Sequence, residues 1–156
     1  MSAYLLLKWL HIVSATILIG TGSGIAFFQW FTYRQGNVAA IAVVTRLVVR
    51  ADFIFTASAA FMLLASGFLL MQVLSLPWTS TWALLNLTLY ALAGACWLPI
   101  VAIQLRLARL ALQADKDRTG LPKEFHDAMR LWFWLGLLAF VAVLTIFGLM
   151  LRGPAA

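Results

Sequence analysis

Four stretches of this chain run for about twenty residues or more almost without charge, and no other feature constrains its fold as strongly. A hydrocarbon layer ~30 Å thick is crossed by about 20 apolar residues of helix. Lipid offers no partner for a free backbone N–H or C=O, so only helices and closed barrels cross it. Runs of this length are too long for barrel strands, and the expected fold is all-α: a four-helix transmembrane bundle of the integral membrane class. The expected spans are about 4–30, 53–76, 82–104 and 131–151, within a single transmembrane domain covering 1–156.

Composition supports that reading. Of 156 residues, 64% are hydrophobic and only 10% charged, whereas soluble domains carry roughly 25% charge. The net charge of +6 raises the question of nucleic acid, which requires a basic face or a recognised binding fold. Here the basic residues flank apolar spans, so the expected partner is the lipid bilayer and no nucleic acid. The first apolar run, from about Ala3 to Trp30, exceeds the 7 to 15 residue core of a signal peptide and reads as a retained span. Cys96 is the only cysteine, which leaves no intramolecular disulfide and no zinc or iron–sulfur cluster.

Charge also orients the bundle. Arg34, Arg46 and Arg50 follow span one, and Arg106, Arg109, Lys116, Arg118, Lys123 and Arg130 follow span three; only Lys8 and Arg152 lie toward the other face. Nine of the eleven basic residues therefore favour long cytoplasmic loops and external termini. The expected location is the bacterial inner membrane, crossed several times. Trp30, Trp132 and Trp134 fall at the cytoplasmic boundary and Trp78 and Trp82 at the external one, as an aromatic belt requires. Trp97 lies mid-span and does not fit the belt. Val38 to Val49 is too short for a fifth span and reads as an interfacial helix or an extension of span two. Span three is expected to continue as a charged helix, RLARLALQADKDR, stopped by Gly120 and Pro122.

Ionisable residues inside a span are costly and usually functional, which directs attention to YLLLKWLHIVSATILIG. On a helix Tyr4, Lys8, His11 and Ala15 share one stripe, and Gly22 continues it three turns further. His11 lies ~12 Å along the helix from Ala3, in the outer half of the membrane. The spacing suits a flat group on this face: haem b in the outer half, with His11 as axial metal ligand through neutral imidazole, Lys8 beside a propionate, and Tyr4 and Gly22 completing the site. The competing account is a histidine hydrogen-bonded between helices beside a lysine that snorkels to the surface. His126 precedes span four at the opposite face, so it cannot share an iron with His11 in one bundle. Met71, Met150, water or His11 of a second subunit are the remaining axial candidates.

Other motifs are weaker. Gly20, Gly22 and Gly24 lie within a span, which removes a dinucleotide-loop reading; Gly20 and Gly24 form a GxxxG pair expected to permit close helix approach. Pro99 should kink span three near GACWLP. Gln72, Asn86, Thr88 and Tyr90 are candidates for a polar pocket near His11. Asp52 has Arg46, Arg50 and Arg106 as expected ion-pair partners. Nothing resembles a Ser/His/Asp triad, a P-loop, an HExxH helix or a paired-carboxylate site.

The segments LLKWLHIVSATILIGTGSGIAF, RADFIFT, GACWLPIVAIQLRL and LWFWLGLLAFVAVLTIFGLML together resemble the bacterial predicted integral membrane proteins grouped as domain of unknown function 2269. That resemblance implies a four-helix inner-membrane protein. More distantly, KWLHI looks like the opening of HemJ-type protoporphyrinogen oxidases and CopD-like copper-resistance proteins. The HemJ likeness implies haem b bound through His11, with Lys8 as a companion, and hence membrane redox chemistry linked to a porphyrin or a quinone. A homodimer sharing haem through two His11 residues is compatible with it. The alternative class is a non-enzymatic assembly, transporter-like or metal-handling membrane protein.

Overall fold

A computed structural model describes residues 2–153. Helix α1 spans Ala3–Gln35, α2 Val38–Ala51, α3 Ser58–Val73, α4 Thr81–Lys116 and α5 Lys123–Arg152, with a π-helical turn, Asp52–Ala57, joining α2 to α3. Helices α2 and α3 thus form one continuous rod, Val38–Val73, and four rods are long and apolar enough to cross a membrane. Each break has a local cause. Gly36 closes α1 in the left-handed conformation at φ 73°, and the Asn37 side chain caps α2 by accepting from the Ala40 N–H at 3.1 Å. Ser80 caps α4 the same way, accepting from the Ala83 N–H at 3.2 Å.

The long loops of the sequence reading are therefore replaced by helix. Val38 to Val49 extends span two, and the charged stretch after Gln104 extends span three to Lys116, as expected. Only the turn at Gly36–Asn37 and the segment Asp117–Pro122 remain as connections at this end, hereafter the basic end. The reason is length: rods of 30 to 36 residues measure about 45 to 54 Å at 1.5 Å per residue, well beyond the hydrocarbon layer. Their surplus turns stay helical by packing on one another.

That packing makes the two ends of the molecule different. The densest core lies toward the basic end, where Ile41, Ala42, Leu107, Ala111, Phe125 and Met129 are almost wholly buried. Outside lipid, apolar surface is driven out of water; within it, helices gain little from hiding leucine from leucine. Toward the terminal end, close backbone packing links α1 to α3 and α4 to α5, while α2 joins the two pairs through α1 and α4.

Each rod buries a seam whose positions step by three and four. On α1 it is Tyr4, Leu7, His11, Ser14, Leu18, Thr21 and Ile25; on α4 it runs from Ala83 through Asn86, Tyr90, Ala93, Trp97, Ile100 and Gln104. An average step of 3.5 gives left-handed, coiled-coil-like crossings. On the second rod the seam takes two consecutive steps of four, Val48 to Asp52 to Thr56, where the π turn is wound. The GxxxG pair is not on a helix contact. A Cβ added at Gly20, Gly22 or Gly24 meets nothing within 4 Å, because the α1 seam passes through Leu18, Thr21 and Ile25 instead.

The unequal packing predicts unequal mutational costs. Phe125→Ala, at a site 0% exposed, should destabilise by about 3–5 kcal/mol. Phe61→Ala, at a residue 68% exposed on the lipid-facing side of α3, should change stability little. Unfolding of both variants in mixed micelles checks the contrast, and equal losses would contradict the placement of the core.

Candidate functional site

Two polar constellations occupy the seams. Near the terminal end, His11 Nδ1 lies 3.0 Å from Ser66 Oγ, joining α1 to α3. The proton in this bond can be assigned. Ser66 Oγ also lies 2.6 Å from the carbonyl of Met62, to which its single hydrogen is donated. Toward His11 the hydroxyl must then accept, so Nδ1 carries the imidazole proton and Nε2 keeps its lone pair. The bond made by one ring nitrogen thus fixes the role of the other.

Gly67, next to Ser66, makes the approach possible. A Cβ there would stand 3.3 Å from His11 Cε1, so α3 presents a bare backbone to the ring. Sequence reasoning missed both partners, because SGF within an apolar span carries no periodic signal of its own. Of the other residues expected here, Lys8 is exposed, with its Nζ 5.7 Å from the Tyr4 ring centroid. Gly22 lies eleven residues from His11, about 16 Å along α1, and faces open space. Met71 is buried on α3 one turn beyond Gly67, whereas Met150 is largely exposed.

The proposed polar pocket does not assemble. Gln72 and Thr88 are exposed, and Asn86 donates to the Trp82 carbonyl on its own helix at 2.8 Å. Tyr90 instead bridges the helix pairs, donating its hydroxyl to the Ala60 carbonyl on α3 at 2.7 Å. His126 is exposed in the first turn of α5 and lies 2.8 Å from the Tyr33 hydroxyl. Tyr33 is 22 residues along α1 from His11, about 33 Å, so the two histidines stand at opposite ends of the bundle.

The second constellation lies toward the basic end. Asp52 is 4% exposed, and the Trp97 indole donates to its Oδ2 at 3.0 Å. The expected ion pair with Arg46, Arg50 or Arg106 is not formed: no arginine is among the groups bonded to Asp52, and Arg46 donates its Nε to the Ala42 carbonyl at 3.0 Å. The π turn carries the Asp52 carboxyl to the α4 seam, away from the arginines. It also explains Trp97, whose place is in the bundle rather than the belt. Among the described residues no group of three or more His, Cys, Asp or Glu side chains is arranged to hold a metal ion.

A bundle of four apolar rods, tied across the membrane by a few buried polar bonds, defines an integral membrane protein. The chain belongs to the predicted integral membrane protein family DUF2269, whose model matches residues 5–154. No curated protein and no solved structure matches it, so the likeness to HemJ-type and CopD-like proteins rests on the KWLHI segment.

The His11–Ser66 bond should be measurable. Polar bonds within membrane bundles average about 0.6 kcal/mol in mutant cycles, and a histidine N–H left unpaired adds desolvation cost. Ser66→Ala is expected to lose about 1 kcal/mol, with a coupling of about half that or more in a cycle with His11→Ala. Gly67→Val, which drives a branched side chain into the ring, should cost more than Ser66→Ala. Additive single and double variants in micelle unfolding would show that the bond carries no stability.

Proposed function

We propose that the protein binds haem b through His11 and takes part in redox chemistry of the bacterial inner membrane, with a porphyrin or a quinone as the small-molecule partner. The observation that carries this reading is the contact of His11 Nδ1 with Ser66 Oγ at 3.0 Å, while Ser66 Oγ donates to the Met62 carbonyl, an arrangement that favours a proton on Nδ1 and a lone pair on Nε2. The donor set suits the group. Nε2 of His11 would hold the iron, Ser66 fixes the ring plane, Gly67 gives the ring its seat, and Lys8 offers a cation at the terminal end for a propionate. When bound, haem supplies reversible one-electron transfer.

The chain's own residues contribute positioning and insulation. The hydrogen bond to Ser66 stops rotation of the imidazole and raises its basicity toward a metal. Apolar residues of α1 and α3 flank the half-buried ring. Met71 is the buried thioether on the same helix as Ser66 and would be the nearest soft donor on α3 to such a group. The excess of arginine and lysine at the basic end supports cytoplasmic placement of that end and external termini, which puts His11 in the outer leaflet.

An absorption spectrum of detergent-purified protein from haem-sufficient cells tests the proposal. A Soret band is expected in the wild type and should be lost in His11→Ala. Ser66→Ala should retain the band with a shifted midpoint potential, since the ligand remains but its partner is gone. A colourless wild type would favour a non-enzymatic assembly or transporter-like role, in which His11 serves only the helix contact. External labelling of a cysteine placed after Pro154, beyond the described residues, checks the orientation: labelling in intact cells is expected, and protection would reverse it.

A further inference from the structure

Asp52 stands apart from the His11 site and has no role in it. We infer that Asp52, together with Thr56 and Trp97, forms a proton-binding site inside the bundle, supplied with protons from the basic end. The residues that would neutralise a structural carboxylate are absent from its surroundings. Trp97 Nε1 is its hydrogen-bonded partner at 3.0 Å. The α1 stretch that packs alongside, Thr21 to Ile25, carries no titratable group, and on α4 only the thiol of Cys96 adjoins Trp97. On α2, Arg46 and Arg50 are exposed and turned elsewhere, and α5 does not pack on this turn.

A carboxylate buried with only neutral donors beside it, the Trp97 indole and the Thr56 hydroxyl, and no cation is expensive, and taking up a proton removes that cost. The indole bond tolerates both forms, because Trp97 is a donor only and Oδ2 accepts from it whether or not the other oxygen carries hydrogen. Carboxylate plus proton gives carboxylic acid, with no redox change and no second reactant.

A second observation points to a route for the proton. Thr56, one turn along the same face, is 8% exposed and its hydroxyl is directed at the Asp52 carboxyl; Gln29, 3% exposed, has no hydrogen-bond partner for either side-chain atom. The two unpartnered atoms of Gln29 call for water, and both residues lie on the rods that meet at the Asp52 level. The π winding of Asp52–Ala57 falls at the same place, and such turns are frequent at functional sites. It keeps Asp52 and Thr56 together on the seam while the rod continues unbroken on either side.

Infrared difference spectroscopy of the full chain in lipid nanodiscs, titrated over about pH 4 to 10, reads the site directly. The other four carboxyl side chains, Asp115, Asp117, Glu124 and Asp127, are exposed. A protonated-carboxyl band that shifts in deuterium oxide and disappears in Asp52→Asn is expected. Trp97→Phe should keep the band but move it to higher frequency, since the hydrogen bond to Oδ2 is lost. This second variant keeps the carboxyl and serves if Asp52→Asn fails to fold. Absence of such a band in the wild type, or a band unchanged in both variants, would overturn the proposal. Neither outcome depends on whether haem is bound.

Discussion

Lipid supplies neither the hydrophobic force that drives soluble cores together nor water to satisfy a stray polar group, and the architecture follows from that double absence. Between the rods, order comes from shape and from a few polar bonds. Those found here share one chemistry: an aromatic or imidazole group on one helix reaches a neighbouring helix. Trp82 reaches the Leu149 carbonyl at 2.9 Å, Tyr90 that of Ala60, Trp97 the Asp52 carboxyl, and His11 the Ser66 hydroxyl. Long flat side chains suit the purpose, since they span a gap between backbones and leave only one polar atom to satisfy.

The same constraint explains why the molecule is unequal along its length. Where the rods leave lipid, hydrophobic burial returns as a force, and Leu107, Ala111, Phe125 and Met129 close into a core. Within lipid, Tyr90 and Trp97 hold the two helix pairs together by single bonds. His11 lies in the second region, and Asp52 lies where the two meet, beside Val48 and Ala51 at the edge of the core.

The spans were legible in the sequence because transfer into hydrocarbon is decided by composition over about twenty residues. The inward faces were not. Lipid-facing Phe61 and core-facing Phe125 are the same residue in the same kind of run, and only polar residues betray the seam. His11 was therefore found while its partners Ser66 and Gly67 were not. Asp52 was misassigned to an ion pair because three arginines stand near it in sequence. A π turn, which no propensity signals, moves its carboxyl toward Trp97. Gly20 and Gly24 misled for the converse reason: a small-residue spacing permits a close approach and supplies nothing that compels one.

His11 and Asp52 lie on one continuous interface, between α1 and the second rod, yet electrostatics separates them. Ser66, the partner of His11, is fourteen residues from Asp52, which is about 21 Å of helix. At that separation two unit charges interact by about 0.8 kcal/mol at an effective dielectric of 20 and about 0.2 kcal/mol in water. A proton gained at Asp52 would thus alter the energy of a charge at His11 by less than a tenfold change in equilibrium. Any stronger linkage between the two ends has to pass through the packing of the seam, through Thr56, Ala59 and Leu63 against α1. The narrow side chains along that path, Ser14 and Thr21 on α1 and Ala59 on α3, are where a shift of one rod against the other would meet least resistance.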